Sequence, residues 1–209
     1  MQYITDPTTI ETRSMEIIAP YLAEKNLSAP EVKVVSRIIH AAGDPDYGNV
    51  VVIHPEAIDA GCRALKNGAS IYTDVEMVRT GINRRRLAEY GGQVHCLIAD
   101  EEVARLAKEQ GITRSMAAIR SFGKRLDGAV VAIGNAPTAL FALMELMEQT
   151  SIRPALIIGV PVGFVGACES KEFLAEKSPV PYITVKGNKG GSPIAAATTN
   201  ALLYMLENK

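Results

Sequence analysis

The chain has 209 residues, 47% of them hydrophobic and 22% charged, which is ample for the core of one large domain. A net charge of −1 argues against a nucleic-acid partner, which requires a basic surface, and the absence of Trp leaves no base-stacking platform. Three scattered cysteines (Cys62, Cys96, Cys168) give neither a disulfide framework nor a metal signature, so the expected setting is soluble, reducing and cytoplasmic, with no metal site. Residues 1–9 lack a basic region followed by an apolar stretch, so no signal peptide is expected. The longest mostly apolar run, 155–168, is too short to span a bilayer, so no membrane association is expected either.

In chain order, Asp6 followed by Pro7 starts a first helix, expected to reach about residue 26. Ser28 or Pro30 opens a second, ended after Ala42 by Gly43-Asp44-Pro45. Residues 49–54 (NVVVIH) read as a strand, and Pro55 opens a helix over 55–68. A second strand at 70–75 leads into one helix over 76–90, and a third strand covers 93–98. Asp100 caps the next helix, and another begins near Thr113. Strand, glycine-rich loop and helix then recur three times, from Ala129, Ala155 and Tyr182. Six strands alternating with helices imply a mostly parallel sheet with right-handed crossovers, flanked by helices on both faces. The expected architecture is three-layer α/β, a single domain over 1–209.

In such a sheet the three glycine-rich loops fall at the carboxyl ends of strands, where α/β proteins build their sites. Their backbone N–H groups, each at a helix start, suit an anion. The loop around Asn135 also reads as a plain helix start, with Pro137 near the first turn. The loop 187–193 is more pointed, since it sets Lys189 among Gly187, Gly190 and Gly191. Neither GxxxxGK[ST] nor GxGxxG occurs in any of the three, which argues against a nucleotide.

The second helix carries a polar stripe, Lys33, Ser36, Arg37 and His40, opposite Val32, Val35, Ile38, Ile39 and Ala42. On spacing alone this is a solvated face. Two features add a functional reading. His40 lies in the last turn, where the helix dipole stabilises imidazolium by up to ~2 kcal/mol, and the carboxylates of Asp44 and Asp46 follow. A histidine held protonated near neutrality is what a general acid requires. His95, inside an apolar strand, reads as a core histidine. His54 ends its strand at an edge where sites form and is a weaker candidate. Arg84-Arg85-Arg86 reads as a solvated face.

Thr-Arg-Ser-Met occurs at 12–15 and again at 113–116. Chance or shared helix-start chemistry accounts for the coincidence. Each copy nonetheless offers a guanidinium and a hydroxyl, Arg13 with Ser14 and Arg114 with Ser115. Bidentate guanidinium contacts suit a ligand bearing several carboxylates.

The segments ETRSMEII, SRIIHAAGDPDY, VRTGINRRRL, ITRSMAAIR, AIGNAPTAL, GVPVGFVGACESKE and GNKGGSPIAAATTNALL together resemble the precorrin-8X methylmutases of cobalamin biosynthesis, from about Glu11 to Leu203. The resemblance implies an isomerase that moves a methyl group from C-11 to C-12 of a corrinoid macrocycle. It also implies a homodimer with active sites near the subunit boundary and no separate cofactor, any cobalt being carried by the substrate. By it His40 matches the histidine acid, and Ser14 and Arg37 match substrate contacts. Arg13, Thr113, Arg114, Ser115, Asn135, Lys189 and Gly190 are expected to add anion contacts. A corrinoid carrier without turnover is the alternative; it would need the loops and arginines but no histidine acid.

Overall fold

Neighbouring residues of the central strands are all buried although their side chains point to opposite sides, so the sheet must be covered twice. The computed structural model, which describes residues 3–206, has both covers. Its six strands are β1 (Val51–Ile53), β2 (Ile71–Thr73), β3 (Val94–Cys96), β4 (Val130–Ile133), β5 (Leu156–Gly159) and β6 (Tyr182–Val185), in the order β1-β6-β5-β4-β2-β3. The helices are α1 (Pro7–Leu22), α2 (Ala29–Ala42), α3 (Tyr47–Val50), α4 (Ala57–Lys66), α5 (Glu76–Gly81), α6 (Arg84–Ala88), α7 (Glu101–Gln110), α8 (Arg114–Phe122), α9 (Pro137–Gln149), α10 (Ala167–Lys177) and α11 (Ser192–Met205). Val130, Ala132, Leu156, Ile158 and Ile183 pack against α2, α4, α5 and α11. Val131, Ile133 and Ile157 pack against α8, α9 and α10. Two helical layers therefore enclose the sheet, the three-layer α/β architecture expected. None of the helices among the described residues is long and apolar enough to cross a membrane.

Local chemistry sets most boundaries. The Asp6 carboxylate accepts the Thr9 N–H at 2.7 Å and caps α1. The Glu31 carboxylate accepts both the backbone N–H and the hydroxyl of Ser28 at the start of α2. Gly43, with φ +63°, ends α2 in the left-handed conformation that glycine adopts without strain.

Three boundary expectations and one facial assignment are corrected. α1 ends at Leu22 rather than near residue 26, because the Lys25 N–H closes a turn onto the Leu22 carbonyl and frees the chain to reach Ser28. The strand expected over 49–54 is shortened to β1, since Tyr47–Val50 forms the short α3. The helix expected over 76–90 is split at Ile82-Asn83. There the Asn200 side chain accepts the Asn83 N–H at 2.8 Å and donates to the Gly81 carbonyl at 2.9 Å, holding the break open. On α2, Val35, Ile38 and Ile39 are buried and Val32 packs against the core as expected, while the buried face gains Val34 and loses Ala42, which is exposed.

The remaining difference is one of polarity. Every neighbouring pair is parallel except β1 with β6, which are antiparallel in the register Val51↔Val185 to Ile53↔Ile183. The chain entering β1 therefore arrives beside the carboxyl end of β6, where the Lys186 N–H donates to the Val50 carbonyl. His54, which leaves β1, lies at the other end of the sheet, beside Tyr182.

Candidate active site

The loops at the carboxyl ends of β4, β5 and β6 stand side by side, as the strand order requires, and they are interlocked. Asp74, immediately after β2 and fully buried, accepts the backbone N–H groups of Gly134, Asn135 and Ala136 at 3.1, 2.8 and 2.7 Å. Burial raises its carboxyl above the usual range, and the three peptide donors oppose that rise without cancelling it. This corrects the expectation of free N–H donors in that loop: an internal carboxylate already occupies the anion position at the start of α9. The Asn135 side chain is exposed. Further along the row, the Gly163 N–H donates to the Asn188 carbonyl and the Gly191 N–H to the Val160 carbonyl, at 3.2 and 2.8 Å. Gly134 is needed for this packing, since a Cβ there would lie 2.8 Å from the Ser192 Cα.

Because β1 is antiparallel, the turn following His40 reaches the β6–α11 loop. The Gly190 N–H donates to the Tyr47 hydroxyl at 3.1 Å, and that hydroxyl lies 3.3 Å from the Gly190 carbonyl. The Lys189 ammonium pairs with Asp44, lies 3.6 Å from Asp46 and sits over the Tyr47 ring. The pairing raises the Lys189 amine and, with the Asp46 N–H, lowers the Asp44 carboxyl. The two carboxylates expected to face His40 are thus engaged by Lys189.

His40 is exposed in the last turn of α2, and its imidazole makes no hydrogen bond among the described residues. It lines a groove of about 340 Å³ with Ser14, Ile17, Tyr21, Gly43 and Pro45. The Ser14 hydroxyl donates to the Ile10 carbonyl at 2.7 Å, leaving its oxygen lone pairs available to the groove. Arg37, one turn earlier, faces elsewhere. It pairs with Glu11 at 2.8 Å, lies over the Tyr204 ring, and lines a second groove of about 390 Å³. Arg13 pairs with Glu16 at 2.8 Å on the exposed face of α1. Ser14 and His40 are therefore brought together, whereas Arg37 and Arg13 are held by carboxylates of this chain.

The second Thr-Arg-Ser stands at the opposite end of the row of loops. The Thr113 hydroxyl accepts the Met116 N–H, capping α8, and lies 2.9 Å from the Thr138 hydroxyl at the start of α9. Arg114 is exposed and forms no ion pair or hydrogen bond among the described residues, so its guanidinium is free for a ligand. Ser115 is buried, at 7% exposure. Between the two ends, Phe164 and Val165 of the β5–α10 loop project into solvent at 89% and 90% exposure.

The other histidines have structural roles. His95 stacks on Tyr72 at 5.0 Å, and burial lowers its basicity, with Arg125 adding to the effect. The Nδ1 of His54 accepts the Glu56 N–H at 3.2 Å, and the antiparallel β1 removes the residue from the site edge. Among the described residues no His, Cys, Asp and Glu side chains cluster as metal ligands. Sequence reasoning missed Asp74 and Tyr47. The DPDY segment pointed to Tyr47 only as part of an acidic turn. An Asp closing the apolar strand SIYTDV was the one available signal for Asp74, since its partner loop lies sixty residues onward.

A family profile described as precorrin-8X methylmutase matches residues 9–205. The chain belongs to the precorrin-8X methylmutase family. A cobalt-precorrin-8 methylmutase of Leptospira interrogans is 44% identical over 203 residues, covering 94% of this chain and 92% of that protein. A precorrin-8X methylmutase of Pseudomonas aeruginosa is 45% identical, covering 97% of each. The crystal structure of a precorrin-8X methylmutase from Thermus thermophilus superposes with a TM-score of 0.85 at 39% identity, covering 94% of this chain and 96% of that one. As a member of this family the chain is an isomerase of the methylmutase type, and the segments that carried the resemblance lie wholly within the matched region.

Proposed function

We propose that the chain moves a methyl group from C-11 to C-12 of precorrin-8X, or of cobalt-precorrin-8, with His40 as the general acid. The names of its relatives support the substrate class. The observation that carries the role of His40 is its exposed imidazole, without a hydrogen-bond partner among the described residues, in the groove that also contains Ser14. The reaction gains and loses no atoms: the C-11–methyl bond breaks as the C-12–methyl bond forms. A proton lent to the conjugated ring by His40 makes it electron-poor and draws the migrating group across, and the ring returns a proton to His40 once the methyl has moved. The product is hydrogenobyrinate, or cobyrinate where the macrocycle holds cobalt. No side chain has to act as a nucleophile. A general acid contributes ~10²–10⁴-fold, about 3–5 kcal/mol of barrier.

Acetate and propionate groups fringe such a ring, and the exposed Arg114 and Asn135 are suited to meet them, together with Lys189 once it exchanges Asp44 for a substrate carboxylate. The groove of about 340 Å³ lies at the low end of the roughly 300–1,000 Å³ that enclose drug-sized ligands, and a corrinoid is larger. A second copy closing over Ile17, Tyr21, Phe164 and Val165 would complete the enclosure, which supports the homodimer reading.

The test is His40→Ala under single-turnover conditions, followed by the visible spectrum of the macrocycle. Turnover is expected to fall by at least ~10², with affinity retained within about tenfold. A near-normal rate removes His40 from the mechanism. A stoichiometric spectral shift without turnover in the unaltered protein identifies a carrier instead.

A further inference from the structure

Lys171, in the second turn of α10, is 2% exposed, and no carboxylate lies within ion-pair distance of it among the described residues. Its Nζ donates to the backbone carbonyl of Lys189 at 2.5 Å. An apolar side chain of equal length would fill the same space without the cost of burying a cation. What the amine adds is a directed hydrogen bond to one peptide of the β6–α11 loop. Burial pulls the amine down to about 8, as expected of an ammonium lacking a counter-charge.

That peptide needs an external hold. Gly187, Gly190 and Gly191 all have positive φ, so the loop has unusual backbone freedom and loses much entropy when ordered. Gly190 admits no side chain, since a Cβ would lie 2.3 Å from the Val160 carbonyl oxygen. The Lys189 residue is gripped from both ends: its carbonyl by Lys171 on α10, its ammonium by Asp44 in the turn that follows His40. The N–H of the same 189–190 peptide donates to the Tyr47 hydroxyl, so losing the Lys171 bond leaves the peptide held on one side only and loosens its link to the His40 turn.

We infer that Lys171 is a positioning residue for the methylmutase reaction, acting through the Lys189 carbonyl to fix the glycine loop against the His40 turn. This inference rests on the proposed substrate reading only for its kinetic consequence, and the direct measurements need no substrate. In the unaltered protein, nitrogen-detected NMR of the lysine ammonium groups should reveal one Nζ protected from solvent exchange and coupled across the hydrogen bond to the Lys189 carbonyl carbon. If every lysine Nζ exchanges like a surface amine, the inference is overturned. In Lys171→Met, amide hydrogen exchange at residues 187–191 and 44–48 should accelerate by about tenfold or more, with the protection of α11 and β4 unchanged. With cobalt-precorrin-8 and precorrin-8X as substrates, KM should rise by about tenfold while kcat falls by less than about threefold. Lys171→Arg, which keeps a donor, should recover part of the KM. Unchanged loop exchange, or equal losses in the Arg and Met variants, contradicts a positioning role.

Discussion

The two Thr-Arg-Ser-Met segments have one sequence and two structures. In the first, Thr12 to Met15 lie in the middle of α1, because Asp6 has already capped the helix. Ser14 is left to bond back to the Ile10 carbonyl, and Arg13 spans one turn to Glu16 in water. In the second, Gly111 has just ended α7 in a left-handed turn, so Thr113 is the first residue able to cap the next helix. The same threonine becomes an N-cap, and the same serine a core residue. Helix-start chemistry therefore accounts for the second copy and not for the first. Four residues do not carry their own conformation; the preceding cap or stop sets it.

Leucine at the two serine positions separates the environments most widely. Ser115→Leu forces a larger side chain into a filled interior and should cost ~1–3 kcal/mol of stability, whereas Ser14→Leu, at the groove, should cost under ~0.5 kcal/mol. Equal urea midpoint shifts would erase the distinction between the copies. Alanine at the threonines gives a smaller contrast. Thr113→Ala loses the cap and its contact to Thr138, about 1 kcal/mol, while Thr12→Ala should stay within ~0.5 kcal/mol in the same denaturation measurement. The smallest effect belongs to Arg13→Ala. Its pair with Glu16 joins side chains 63% and 56% exposed, so thermal unfolding should move by under ~0.5 kcal/mol. A larger loss would mean that the first copy is held in place as firmly as the second.

The three C-terminal strand–loop–helix units were legible because each pairs an unbroken apolar run with a glycine break, a pattern that a buried parallel strand imposes on its own sequence. The polarity of β1 was not. NVVVIH carries no mark of direction, and its partner residues lie more than a hundred positions away. The split between α5 and α6 was hidden for the same reason, since Asn200 enforces it from another element. Within the site, His40 was visible from its last-turn position and the Gly43 stop. The diversion of Arg37 to Glu11 depends on how α1 crosses α2, which periodicity does not encode. The use of the Asn135 N–H by Asp74 depends on β2 lying beside β4.

The reversed direction of β1 also has a consequence in time. Asp44 and Lys189 are 145 residues apart in the chain, yet they form one joint. During synthesis α2 and its polar stripe emerge early, while the apolar face that includes Ile38 and Ile39 has no sheet or α11 to cover it until β6 and α11 follow. Contacts between segments so far apart in the chain form slowly. The walls of the His40 groove thus come from the first two helices, whereas the joint that fixes its closing turn to Lys189 is made among the last events of folding.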